Sequence, residues 1–419
     1  MKSIKRSLLA CAVAAVVAAP AHATNGYFSH GYGIKAKGMA GAGVALPQDA
    51  IAAATNPAGM VMVGNRVDVG ADWFRPIRNT EIKGNAMLGD VSYDASSQKN
   101  FLVPEFGYNR MINDTMSFGV VVYGNGGMNT DYTTPIGLFS STNNAGVDLM
   151  QLFIAPTFAM KLNDQHSIGI SLNLARQRFK ARGLQNFDNA MYSSSPGDVT
   201  DVGFDSSNGW GVRVGWTGQV TDALTLGATY QSRTKMGEFK KYKGLFAEQG
   251  GFDIPSNYAI GAAFQATPEM TIALDVEWIK YSEIKSIANP LSNLTVSGNQ
   301  LGTDDGAGFG WEDMTVYKLG LSYDYSDDLT LRAGWNYGKQ PIPASETLFN
   351  MIAPGVVEHH LTLGATWTLE NGGELSVSYM HAFEKKVNGS GSIPSSFGGG
   401  EANLKMYQDA LGIAYGWNF

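Results

Sequence analysis

Cysteine is nearly absent: Cys11 is the only one in 419 residues. It sits in the extreme N-terminal segment, so the rest of the chain has neither a disulfide nor thiol chemistry. Long apolar runs are missing as well. Beyond residue 23 no stretch of eighteen residues is uniformly apolar, and the mean hydropathy is −0.11, which excludes a transmembrane helix. Charge is sparse at 16%, and cations are in deficit: 30 Lys and Arg face 37 Asp and Glu, a formal charge of −7. A surface of that sign argues against nucleic acid as a partner. Catalytic signatures are missing too, with no Gly-x-Ser-x-Gly and no His-Glu-x-x-His. His166 and His381 have no evident nucleophile beside them. His359 and His360 open a strand, where neighbouring side chains point to opposite faces and cannot easily share one metal. The reading is a protein that is not an enzyme and carries no metal or other cofactor.

What is abundant is glycine (51), phenylalanine (20), tyrosine (18) and tryptophan (8). The first 23 residues read as a secretory leader, with a basic start (Lys2, Lys5, Arg6), an apolar core from Leu8 to Pro20 and a small-x-small site at Ala21-His22-Ala23. Leu8-Leu9-Ala10-Cys11 only loosely mimics a lipidation box, because the apolar core runs past Cys11. Loss of the leader's three cations takes the formal charge from −7 to −10. Residues 24–64 are rich in glycine and alanine and suit a compact, partly helical unit rather than strands that face lipid. Asp49 is placed to cap a short helix through Ala54, which Pro57 would stop. This segment is read as an N-terminal plug, or hatch.

From residue 65 to 419 the pattern changes to a period of two. In residues 271–278, Ile272, Leu274, Val276 and Trp278 point one way while Thr271, Ala273, Asp275 and Glu277 point the other. Fourteen such stretches follow one another, from 66–77 to 404–419, each close to the length of a tilted membrane strand. Six short turns alternate with seven long loops, as an even-stranded barrel with both termini on the periplasmic side requires. The fold class predicted is all-β, a transmembrane antiparallel β-barrel of 14 strands with the N-terminal plug. The last strand puts Leu411, Ile413, Tyr415, Trp417 and Phe419 on one face, which suits recognition by barrel-assembly machinery as well as anchoring at the membrane interface.

Asn56-Pro57-Ala58-Gly59 after a glycine-rich N-terminus, Arg332-x-Gly334 followed by Pro341-x-Pro343, and Ser378-Tyr379-Met380-His381 together resemble the outer-membrane long-chain fatty acid transporter family, which also holds channels for toluene and related aromatics. The resemblance spans nearly the whole chain beyond the leader. It implies a monomeric barrel in the outer membrane of a Gram-negative bacterium, with Asn56, Pro57 and Ala58 at the plug–barrel junction. A hydrophobic ligand would be caught among the outer loops, pass to a tighter pocket inside, and leave sideways through a gap made by a kink in strand three. An apolar molecule gains about 0.8 kcal/mol per buried methylene, so exit into lipid keeps it out of water.

Strand three, Ser117 to Tyr123, breaks into Gly124-Asn125-Gly126-Gly127, and the resemblance places the lateral opening there. The plain alternative is the start of an ordinary loop. Arg176, Arg178, Lys180 and Arg182 form the best basic cluster, and Arg178 and Arg182 are candidates to hold a ligand carboxylate. The alternatives are lipopolysaccharide phosphates or solvent. Fatty-acid-binding members use a lysine just before strand ten, whereas the stretch from Thr303 to Gly310 has no cation. Tyr27 and Phe28, directly before the plug, are expected to touch ligand in the lumen. Loop residues Leu138, Phe139, Leu245, Phe246, Leu348, Phe349, Met351 and Ile352 are candidates for the outer groove. The inward-facing charges Asp68, Asp72, Arg213, Asp275, Glu277, Lys318, Arg332 and Glu374 are expected to pair with one another or with the plug. The leading function is uptake of hydrophobic compounds, foremost long-chain fatty acids. Neutral aromatic hydrocarbons are the alternative, and a hydrophilic-solute porin is a further one.

Overall fold

The structure, a computed structural model, describes residues 25–419, so the expected leader at 1–23 and Thr24 lie outside the described residues. Fourteen antiparallel strands close into one barrel. In chain order they are β1 (Arg66–Asn85), β2 (Phe101–Met111), β3 (Met116–Asp131), β4 (Gly146–Lys161), β5 (His166–Arg182), β6 (Asp205–Thr221), β7 (Leu224–Gln231), β8 (Asn257–Thr267), β9 (Met270–Ile279), β10 (Met314–Ser326), β11 (Leu329–Gly338), β12 (His359–Thr368), β13 (Gly373–Val387) and β14 (Glu401–Asn418). The ring shuts where β14 pairs with β1, from Arg66↔Asn418 to Lys83↔Glu401. Two shorter strands, Gly89–Asp94 and Lys235–Met236, hang on the upper ends of β1 and β6. No helix among the described residues is long and apolar enough to cross a membrane.

Every strand expected from the alternation is present, and the differences lie at the loop ends. β1, β3, β5, β13 and β14 all run farther toward the long loops than the apolar alternation reaches, to Asn85, Asp131, Arg182, Val387 and Glu401. Their upper halves stand clear of the apolar band, where no alternation is required, so periodicity could not trace them. The short turns form for a local reason. Asn113 Oδ1 accepts from the Thr115 and Met116 amides, and Asn163 Oδ1 does the same for Gln165 and His166.

The outer wall carries an apolar band. On β5, Ile168, Ile170, Leu172 and Leu174 are exposed while Ser167, Ser171, Asn173 and Ala175 are buried. Aromatic rows border the band. Trp210, Tyr230, Tyr258, Tyr317 and Trp335 lie on the long-loop side, and Tyr323, Tyr325, Trp367, Trp417 and Phe419 on the short-turn side, all exposed. That arrangement is the wall of a lipid-embedded barrel.

Candidate functional site

Residues 25–64 pack against the inward faces of the strands, and glycine makes the approach possible. A Cβ added to Gly107 on β2, Gly169 on β5, Gly215 on β6, Gly227 on β7 or Gly334 on β11 would fall within 3.0 Å of atoms of Ala50, Pro57, Asn56, Val44 and Met39 respectively. Most of those atoms are backbone and cannot give way, so this belt requires glycine at the level where the N-terminal segment crosses each strand. Asp49 caps the turn Ala50–Ala54 as expected, through Oδ1 and the Ile51 amide at 2.9 Å. Pro57 starts a second turn, Pro57–Val61, instead of only ending the first, because Asn56 caps it and Pro is well placed at a first helical position. Asn56 does more than cap. Its Oδ1 accepts from the Ala58 amide at 3.1 Å, and its Nδ2 donates to Val44 O at 2.7 Å and to Trp216 O on β6 at 3.0 Å. We expect Asn56→Ala to loosen this joint by about 1–3 kcal/mol, since it leaves buried backbone groups unpartnered. Hydrogen-exchange protection around Ala58 and Met60 is the measurement, and unchanged protection would refute it.

The inward charges are all engaged. Lys37 Nζ pairs with Asp72 and lies 3.6 Å from Glu105 Oε2. Lys35 and Arg66 both reach Glu374, at 2.6 and 2.7 Å, and Arg66 also holds Asp68 at 2.7 Å. Asp275 Oδ2 accepts from the Gly43 and Val44 amides at 2.7 and 3.1 Å. Lys318 pairs with Glu277 at 2.8 Å. Arg213 donates to Thr55 O and Gln231 Oε1, and Arg332 to Gln48 Oε1 and Thr366 Oγ1. The charges thus pair partly with one another and partly with residues 25–64.

The glycine cluster of β3 lies inside the strand, not at the start of a loop. The ladder between β2 and β3 runs only from Met111↔Ser117 to Phe106↔Val122. Above that point Phe101–Glu105 continues to pair with β1, while Gly124–Met128 pairs with β4, through a bulge between Gly124 and Gly126, and bridges at Gly126 to Phe28 of the N-terminal segment. The wall closes again higher up, where the Ser97 amide donates to Asp131 O and the Asp131 amide donates to Ala95 O. A stretch of wall thus lacks backbone hydrogen bonds between β2 and β3. The N-terminal segment lines its inner edge: Gly127 N donates to Tyr27 O at 2.8 Å, and Ser29 N to Asn125 O at 3.2 Å. A Cβ at Gly126 would collide with Tyr27 O.

Tyr27 and Phe28 are buried against aromatics from two loops. Ring centroids lie 5.3 Å from Tyr27 to Tyr281, 6.1 Å to Trp311 and 6.2 Å to Phe252. Phe252 continues the group to Phe246 at 4.9 Å, and Phe246 to Phe179 at 4.6 Å. Burial pushes the Tyr27 and Tyr281 hydroxyls well above their usual range, so this cluster stays uncharged. Below it an amide ladder crosses the wall, from Asn125 to Gln151 at 3.1 Å, Gln151 to Gln177 at 3.2 Å and Gln177 to Ser207 at 3.0 Å. Tyr281, Trp311 and Phe252 escaped the sequence reading because loops carry no periodicity. Gln151 and Gln177 share the parity of Phe153 and Phe179, which could have marked them as inward-facing.

The loop residues separate into two groups. Phe246 belongs to the inner cluster, whereas Phe349 joins Phe187 at 5.2 Å, and Phe187 reaches Phe139 at 5.9 Å and Phe397 at 5.9 Å. Leu348, Met351, Ile352, Leu138 and Phe139 are buried within the loops, so they form the loops' core and do not line an open groove; Leu245 and Phe349 are partly buried. Arg178 and Arg182 do not join either aromatic group. They share the outward parity of Leu172 and Leu174, while Gln177 and Phe179 between and beside them point inward. The wall separates them from Tyr27 and Phe28, and Arg182 is paired with Asp131. Strand parity turns these two arginines outward, so they do not face a ligand in the lumen.

Among curated proteins the chain is similar to the long-chain fatty acid transport protein of Escherichia coli K12, 24% identical over 389 residues, covering 82% of this chain and 84% of that protein. Solved structures with the same fold include the P. putida toluene transporter TodX (TM-score 0.71, 18% identity, 93% of this chain and 99% of that one). A Pseudomonas aeruginosa FadL homologue is as near (TM-score 0.71, 16% identity, 94% and 100%). Residues 12–419 match the family described as outer membrane protein transport protein (OMPP1/FadL/TodX). The chain, a closed barrel with an aromatic-bordered apolar wall, belongs to that family of outer-membrane transporters for hydrophobic compounds.

Proposed function

We propose that this protein takes up hydrophobic compounds by capture at the loop aromatics around Phe187 and Phe349, transfer to the cluster at Tyr27 and Phe28, and lateral release between β2 and β3. Residues 24–64 act as the plug, with both chain termini periplasmic and the long loops outside, and the barrel works as a monomer. Its outward C-terminal aromatics, Trp417 and Phe419, suit assembly-factor recognition. The observation that carries the reading is the placement of Tyr27–Ser29: one short segment contacts both the enclosed aromatic cluster and the edge of β3 that β2 leaves unbonded. Ligand that displaces these rings therefore also disturbs the seam.

Long-chain fatty acids and neutral aromatics both meet the apolar requirement. One feature favours neutral compounds. Among the described residues Lys37, Arg66 and Lys318 are held by carboxylates, Arg213 and Arg332 by neutral groups, and Arg78 by the Asn129 and Gln98 carbonyls, while the cluster itself is uncharged. A carboxylate entering it would lose hydration without gaining a charged partner. Toluene is therefore expected to bind more tightly than a short-chain carboxylate of equal size, by titration of the purified barrel. Phe28→Ala should weaken toluene binding about tenfold to a hundredfold, from the roughly 1.5–3 kcal/mol of a buried aromatic side chain. Equal affinity of parent and variant would remove the cluster from the route. A large, steady ion current through the parent in a planar bilayer would favour a hydrophilic-solute porin instead.

A further inference from the structure

We propose that the outer wall at the upper end of β5 binds the phosphorylated headgroup of an outer-leaflet glycolipid. The outward positions of β5 run Ile168, Ile170, Leu172, Leu174 and then, without change of parity, Arg176, Arg178, Lys180, Arg182. The switch from apolar to basic falls at a physical boundary. Leu174 is registered with Trp210 of β6, which belongs to the aromatic row on the long-loop edge of the apolar band. Arg176 is thus the first outward position above that edge, at the depth where headgroups begin. Acyl chains lying along Ile168–Leu174 would bring their phosphates to this row.

The cations are built into place, and three of the four make no ion pair among the described residues. Arg176 is held by Asn208 Oδ1 at 3.1 Å and Ser206 Oγ at 3.2 Å. Arg178 and Lys180 sit over one ring, with Arg178 Cζ 4.4 Å and Lys180 Nζ 4.7 Å from the centroid of Phe204. Two like charges sharing a single ring repel each other, and a bound anion between them relieves that repulsion. Arg182 is neutralised by Asp131, but none of the other three makes an ion pair among the described residues. Asp148, registered with Lys180 on the same strand face, is buried within electrostatic reach of Lys180 and Arg178 but makes no ion pair with either. Alternate residues on one strand face are roughly 7 Å apart, a spacing that lets neighbouring cations grip separate phosphates of one headgroup. A fatty acid in transit is the wrong occupant, because the row is on the far side of the wall from Tyr27.

The test uses the full-length barrel in detergent with diphosphoryl lipid A as probe, read by native mass spectrometry. The variant is Arg176→Ala/Arg178→Ala/Lys180→Ala, and the control is Arg110→Ala/Lys161→Ala at the short-turn rim. Folding is checked by heat-modifiable gel mobility. At about fivefold per cation near a membrane surface, the triple variant should lose affinity on the order of a hundredfold. The control should retain lipid as the parent does. Equal retention by triple variant and parent would overturn the site. So would equal binding of dephosphorylated lipid, or displacement of lipid A by inorganic phosphate at matched charge, which would make it a free-anion site.

Discussion

Oxidation of a Val103→Cys/Gly124→Cys pair is expected to stop ligand delivery to the cell while the barrel stays folded and still binds ligand. The reason is the seam. Every other neighbouring pair of strands is laced by a ladder within the apolar band, and separating it would leave amides and carbonyls unpaired in lipid at several kcal/mol each. Between β2 and β3 those bonds are already missing above Phe106↔Val122, so opening breaks side-chain contacts and the backbone bonds of residues 27–29 to β3 but no strand ladder. Val103 and Gly124 face each other across this gap: a Cβ on Gly124 would lie 3.0 Å from Val103 Cγ1, within reach of a disulfide. No cysteine follows Cys11 in the natural chain, so oxidation touches only the introduced pair. Dithiothreitol should restore delivery, and each single-cysteine variant should transport like the parent. Gly126→Glu should fail to deliver for a related reason, since its side chain unseats Tyr27 and places a charge in the gap. Transport at the parental rate by the oxidised pair would sink the lateral route. Passage beside a displaced N-terminal segment would then be the better account.

Lys37→Met should release the anchorage of residues 25–64. Lys37 is the one cation between Asp72 and Glu105, and Glu105 also accepts from the Gly33 and Ile34 amides at 3.2 and 3.0 Å. Methionine fills the same space but strands two buried carboxylates, a loss of about 3–5 kcal/mol for a broken buried pair. The fourteen-strand wall does not depend on this contact, so heat-modifiable mobility should be unchanged. The expected signal is a rise in ion conductance in planar bilayers, with faster amide exchange over residues 33–41. Adding Asp72→Asn to the variant removes one stranded charge and should recover part of the closed behaviour. Conductance and exchange matching the parent would show that residues 25–64 do not depend on this anchor.

Sequence alone determined the wall. Alternation with period two needs only that one face meet lipid and the other a polar interior, and this constraint acts residue by residue on each strand. Hence all fourteen strands, the Asn-led turns and the inward charges could be read directly. The Asp49 cap was legible for the same local reason. Tertiary structure decided the rest. Strand parity turned Arg178 outward, and the observed continuation of β5 past the apolar band showed that Arg182 follows it. The glycine belt is scattered as single residues over the strands and acquires meaning only when one segment crosses them all. The site itself joins Tyr27 to Tyr281, Trp311 and Gly126, residues brought together by ring closure and loop packing. No local pattern encodes such contacts, because their energy comes from burial shared among distant parts of the chain.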